Sequence, residues 1–464
     1  MKSIGKLLAA AAVVITFILA ACAPAGQPPA AQPTSPPAAA TQAPAATNAP
    51  AATQASGSTH EPVTLTFIKI ADDLEAKAFA EMLDEFHKLD GGKWSYVNIE
   101  YNAKPFAELF PSIEDSVATG QNVDLIQADG PDVKHFAWNK VIMDLTDKFS
   151  KEELAQWDPG SIAEGTYQGK FYGPPEVQSC QSLWYNQEMV DAAGLKLTTA
   201  GLTYGPNGTG LPVWQKLTVD KNGDGTPEVY GFQNNGPAWF DYLNRIPART
   251  NGKPGDNTFE GVSPDGLKFK GYFDTDQAIE AFQFDQDLFS KYKVRSTEPP
   301  ANALLSGFTA TTVSQDLILG TLKDQFPNFK IGAMEPPYWV TPMCQTGSWH
   351  YAISPTTKHL DEALAFIKYA SSDAGAAIMF KYKNQLPANV KLLASLPDFK
   401  SYPRNLTVEV FNKYGKPRIE TPAYTEYNAL FTEYYGSLVA GGNVPELTHE
   451  YAQKMEDAAA KYAK

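Results

Sequence analysis

Between Val63 and Asp129 the sequence alternates between two periods, and that alternation leaves few folds open to the chain. "VTLTFIKI" (63–70), "YVNIEYN" (96–102) and "VDLIQAD" (123–129) are short, rich in β-formers and bounded by Gly, Asn and Asp, as strands are. Between them, "DLEAKAFAEMLDEFHKL" (73–89) repeats Leu74, Ala78, Met82, Phe86 and Leu89 at helical spacing, and "PFAELFPSIEDSVATG" (105–120) reads as a second helix. Strands joined by helices form an open α/β unit with a parallel sheet. Ligands of such sheets meet the carboxyl ends of the strands, here Ile70–Asp73 and Gln127–Gly130. No Gly-x-Gly-x-x-Gly follows either strand, which argues against a dinucleotide. From His60 to Lys464 the chain is too long for one ordinary core and predicts two lobes.

Ahead of this body, Lys2 and Lys6 precede an apolar run, Leu7 to Ala20, that is too short to span a bilayer comfortably. Residues 1–21 therefore read as a secretory signal. Its end, Leu19-Ala20-Ala21-Cys22, resembles the bacterial lipobox, which implies that Cys22 is acylated and becomes the new N-terminus; an ordinary small-residue cleavage site beside an incidental cysteine is the other reading. Residues 22–59 are nearly all Ala, Pro, Gln, Thr and Ser, a composition that cannot offset ordering entropy and reads as a tether. Its extended reach is on the order of 100 Å. The expected location is the extracytoplasmic face of a bacterial membrane, through the lipid anchor. The net charge of −14 argues against nucleic acid and against a basic contact with anionic lipid.

Three later stretches carry a family resemblance. "GKFYGPPEVQSCQSLWYNQEMVDAAGL" (169–195) combines a Gly-Lys-x-Tyr-Gly-x-Pro turn with Tyr185-Asn186, Met189, Ala193, Gly194 and Leu195. "GSWHYAISPTTKHLDEALAFIKYASSDAGAAIMFKY" (347–382) reads as a strand and a helix, and "YNALFTEYYGSLVAGGNVPELTHEYAQKMEDAAAKY" (427–462) as two helices about a Gly-Gly turn. Their succession resembles the extracellular solute-binding proteins of ABC importers, family 1, similar to maltose-binding protein. The resemblance implies a two-lobed periplasmic-binding-protein-like fold (type II), each lobe a mainly parallel sheet flanked by helices, with a hinge and an interlobe cleft. It places the N-terminal lobe at 60–178 and 350–398 and the C-terminal lobe at 183–345 and 404–464. The hinge is then expected near 178–183, 344–349 and 396–404. Cys180 and Cys344 fall on adjacent crossing strands of the family, which implies a disulfide; two buried thiols are the alternative.

A cleft for an uncharged polyol needs flat aromatic faces and fixed carboxylates or amides. At the positions implied stand Asp72, Asp73 and Asp129 from the first lobe, and Gln178, Ser179 and Gln181 at the first crossing, where a carboxylate position of the family falls on Ser179. Trp239, Tyr338, Trp339, Trp349, Tyr424 and Tyr427 supply rings, each of which could equally serve a core, and Asp72 could equally cap the helix after it. The first arginine is Arg245, so the opening lobe has no guanidinium to clamp an anion, which favours a neutral sugar. Polyamines, peptides and glycerol derivatives remain as alternatives. The loop "DKNGDGTPEVYG" (220–231) places Asp220, Asn222 and Asp224 as in a calcium loop but has Gly231 where Glu is needed. Either Glu228 folds back to complete a structural Ca²⁺ site or the loop is a turn held by Asx hydrogen bonds. No other cofactor is implied.

The expected partners are a sugar, the permease subunits of an ABC transporter and the membrane, with the protein itself a monomer. A secreted glycoside hydrolase and an adhesion lipoprotein are the rivals. No Gly-x-Ser-x-Gly or His-Glu-x-x-His occurs, and the histidines are scattered, His350 alone falling near the expected cleft. The protein is therefore expected not to be an enzyme.

Overall fold

The computed structural model describes residues 60–234 and 240–463; the leader, Cys22, the tether and Trp239 lie outside the described residues. The chain begins with β1 (Val63–Ile70), α1 (Asp73–Phe86), β2 (Val97–Lys104), α2 (Phe106–Ala118), β3 (Leu125–Asp129), α3 (Asp132–Trp138), α4 (Pro159–Glu164) and β4 (Pro175–Val177). β1 lies between β2 and β3 and is parallel to both. The strand alternation divides its side chains between two cores. Leu65 and Phe67 pack with Phe79, Met82 and Phe86 on the α1 side, whereas Ile68 packs with Leu109, Ile113 and Phe136 on the other. Each such fully buried side chain contributes about 2 kcal/mol, so a one-residue slip of β1 would be prohibitive.

Residues 178–180 carry the chain across to β5 (Gln181–Asn186). The second lobe then builds β6 (Gln233–Asn234), α5 (Phe240–Asn244), α6 (Asp276–Ser290), β7 (Thr311–Gln315) and β8 (Ile331–Met334). Its sheet has the order β8-β5-β7-β6. Here β5, the entering strand, runs against β7 and β8, while β6 and β7 are parallel. After β9 (Cys344–Thr346), residues 347–348 return the chain to β10 (Trp349–Ile353), which inserts antiparallel beside β3 and completes the first sheet as β2-β1-β3-β10-β4.

Helices α7 (Leu360–Ala370) and α8 (Asp373–Lys383) cover the α1 face, with Phe366, Ile367 and Met379 in that core. The third passage lies between Val390, whose amide donates to Gln156 O on the first lobe, and Tyr402, whose hydroxyl donates to Ala333 O on the second. It leads into α9 (Arg404–Tyr414), β11 (Gly415–Pro417), α10 (Tyr424–Val439) and α11 (Val444–Ala459). α10 buries Tyr427, Phe431, Tyr434 and Leu438 at helical spacing against Phe273, Phe282 and Met455. β11 pairs in parallel with β9, which sets Arg418 next to the second crossing. A disulfide joins Cys180 to Cys344, with Cα atoms 5.6 Å apart, and so ties the first crossing to the start of the second.

Candidate functional site: a cleft between the lobes

A cavity of about 300 Å³ opens where the crossings meet the strand ends. Val177, Ser179, Gly347 and Trp349 line it at or beside the crossings; Ile70, Asp72, Glu75, Phe106, Asp129, Lys383 and Gln385 come from the first lobe, and Asp241, Tyr242, Gln315, Arg418, Tyr424 and Asn428 from the second. The apolar wall is an aromatic group. Trp349 stacks on Phe110 with centroids 6.5 Å apart and meets the edge of Phe106, which is 38% exposed. The geometry of β10 explains this placement, because Trp349 opens the strand opposite Asp129 of β3, at the carboxyl end of the parallel sheet.

The polar walls are charged, but their charges are used internally. The Asp72 carboxylate accepts the amides of Leu74 and Glu75 at the start of α1 and also pairs with Lys383. Against the pull of burial, that ammonium and those amides hold the Asp72 carboxyl below the usual carboxylate range. Glu75 pairs with Lys383 at 3.2 Å and with the buried Lys69 at 3.1 Å. Gln127 donates to Glu176, whose carboxyl is pushed up to about 8 by burial and by the charge of Glu75. Across the cleft, Asp241 accepts the hydroxyls of Tyr424 (2.9 Å) and Tyr427 (2.6 Å). Ser179 donates to Gly347 O and contacts the Tyr242 hydroxyl at 2.8 Å, while Gln315 donates to Ser179. The amides of Gln315, Gln385 and Asn428 add neutral donors and acceptors. Arg418 pairs with Asp129, and burial, opposed by that guanidinium, pushes the Asp129 carboxyl up.

The lobes also meet along a seam beside the cavity. His135 of α3 contacts Glu114 through Nε2 and Pro422 O through Nδ1 at 2.8 Å, Lys134 pairs with Glu420, and Trp138 packs edge-on against Tyr462. Two acceptors on one imidazole require both nitrogens to donate. Burial disfavours the His135 charge, but Glu114 outweighs it and the pKa is raised.

The sequence-derived candidates divide. Asp72, Asp129, Ser179, Trp349 and Tyr424 line the cavity together. Asp73 does not: it is exposed at the start of α1. Gln178 is buried and spent on Ser161 and the Ser179 amide, and Gln181 accepts the Gln345 amide. Tyr427 is buried beneath Tyr424 and reaches the site only through Asp241. Tyr338 lies on a flank of the second lobe, where its amide bonds Leu202 O, and Trp339 packs on Phe284. Asp220, Asn222, Asp224 and Glu228 form a turn whose oxygens accept backbone amides, as Asp220 does from Gly223 and Gly225. No group of three His, Cys, Asp or Glu side chains suited to a metal occurs among the described residues. His350 contacts Ser348 Oγ at 2.6 Å, but both are fully buried, Ser348 is held by Glu164, and the second imidazole nitrogen faces Gly173 O. The pair braces the second crossing and has no path for a substrate. Glu75, Phe106, Asp241, Tyr242, Lys383 and Arg418 were not legible as site residues; only the position of Glu75, one turn into the helix after β1, gave a signal.

Solved structures of the same fold are numerous. An ABC substrate-binding protein from Listeria monocytogenes, solved with cycloalternan, superposes with a TM-score of 0.71 at 18% identity, covering 87% of this chain and 99% of that one. A solute-binding protein from Thermotoga lettingae with α-D-tagatose gives 0.72 at 18% identity, over 86% and 100% of the two chains. The maltose/maltodextrin-binding domain of Bdellovibrio bacteriovorus with maltotriose gives 0.70 at 19% identity, over 85% and 99%. No curated protein matches the sequence significantly. The family model for bacterial extracellular solute-binding proteins matches residues 81–407, which span all three crossings and parts of both lobes, and the chain therefore belongs to that family.

Proposed function

We propose that the protein captures a neutral carbohydrate in the interlobe cleft and delivers it to the permease of an ABC importer, without turning it over. The observation that carries this reading is the composition of the cavity: Trp349 and Phe106 offer aromatic faces, and every lining carboxylate is already paired or hydrogen-bonded within the protein. A sugar ring matches both, its apolar face on the indole and its hydroxyls on the amides and carboxylate edges. An ionic solute would have to displace an internal ion pair. The sugars bound by the structural relatives support the same class. Family membership and the Cys22 junction support a monomeric lipoprotein held outside the cytoplasm by its acyl chains and tether. Among the described residues no helix is long and apolar enough to cross a membrane. Titration calorimetry with maltotriose, mannotriose, cycloalternan and tagatose, against spermidine and glycerol 3-phosphate, tests the proposal. A neutral sugar should bind with a Kd of about 1 μM, or about −8 kcal/mol, and be recovered intact. Binding confined to the ionic compounds, or release of hydrolysis products, would overturn it.

A further inference from the structure

Among the described residues Arg418 is the sole guanidinium lining the cavity, and its surroundings are built for it. Its Cζ lies 5.4 Å from the ring centre of Tyr242 and 5.6 Å from that of Tyr424, and Nη1 donates to the Tyr424 hydroxyl at 3.2 Å. A Cβ at Gly347 would stand 3.7 Å from Nε and 3.1 Å from the Tyr242 ring, so the bare crossing strand closes the cage from below. From there Nη2 donates to Asp129 Oδ1, in the first lobe. The geometry points to Arg418 as a positioning residue: caged on the second lobe, it reaches over the crossing and fixes the Asp129 carboxylate as a charged acceptor for a solute hydroxyl.

This rests on the sugar-binding reading and adds to it the means by which one wall is kept competent. Asp129 is otherwise poorly placed to stay charged. Glu164 of α4 acts on it with like charge, Asp132 of α3 feels its charge in turn, and Asp241, Tyr242 and Tyr424 face Arg418 from α5 and α10. The histidines nearby are committed elsewhere, His135 to Glu114 and Pro422 O, and His350 to Ser348 and Gly173 O. Burial first, and then the Asp129 charge, push Asp132 up to about 8. Without Arg418, Asp129 takes up a proton, and an acceptor becomes a donor.

The test has a readout that needs no sugar. The full chain, labelled with ¹³C at aspartate carboxyls, is titrated as wild type, Arg418→Met and Arg418→Lys, with Asp129→Asn to assign the resonance. Arg418→Met should raise the Asp129 midpoint by about one unit or more, a tenfold gain in proton affinity, and Arg418→Lys should restore most of it. An unmoved midpoint in a folded Arg418→Met protein overturns the inference, whatever the solute proves to be. In the second arm, calorimetry with maltotriose or whichever panel sugar the wild type binds, Arg418→Met should lose about tenfold in affinity relative to the wild type near pH 6 and recover part of that deficit near pH 8. A loss that is equal at both pH values and not relieved by lysine would reduce Arg418 to a packing role and also overturn it. Failure of every panel sugar to bind wild type would sink the sugar reading alone, the carboxyl titration still deciding the role of Arg418.

Discussion

Asp72 shows how one side chain serves fold and site together. Its carboxylate caps α1 and holds Lys383 at the cavity wall. Asp72→Asn should keep most of the cap, whereas Asp72→Ala should cost about 1 kcal/mol, read by denaturant unfolding of the two variants. Equal stabilities would show that the cap contributes nothing here. Trp349 carries the binding prediction: Trp349→Ala should weaken sugar binding at least about tenfold by calorimetry, since the indole supplies the principal face of the wall. At the seam, the sign of the His135 effect follows from its raised pKa. The charged imidazole stabilises the folded state fully below its ordinary value of 6.5, and that contribution is lost as pH rises through the higher folded value. The stability difference between wild type and His135→Gln, measured by denaturation, should therefore be larger near pH 6 than near pH 9. A difference that does not change would mean that folding leaves the His135 pKa where it stands in the unfolded chain.

At the scale of elements, β1 to β3 and their helices were legible because each has one period and a local boundary. The carboxyl end of such a strand is also legible as a place where ligands meet, which is why Asp72 and Asp129 are expected at the cavity they line, whereas Trp349 is expected there from the family resemblance of the second crossing. Arg418, Lys383 and Asp241 were not legible, because their places are set by pairings remote in sequence: β11 against β9, α8 against α1, and Asp241 against α10. Tyr338 and Tyr427 were misplaced for the complementary reason, that an aromatic residue near a strand end or helix start does not reveal which side of its lobe it will face. The Cys180–Cys344 disulfide closes a loop of 164 residues and should contribute up to about 5 kcal/mol in the chain-entropy model. Replacing both cysteines with serine should lower the denaturation midpoint accordingly; an unchanged midpoint would place the stability of the crossings elsewhere.

For the whole molecule, the central claim is a clamp. Two lobes connected by three passages share one cavity, and a solute can touch the groups of both at once only when the halves are together. A solute shifts such an equilibrium by its differential affinity for the closed form, so binding and closure must appear as one event. Small-angle X-ray scattering of the protein with and without a sugar shown by calorimetry to bind tests this most directly. A clamp that closes on its solute has a smaller radius of gyration in the complex, with the same sugar concentration marking half-closure and half-saturation. Identical dimensions with the sugar bound would contradict it.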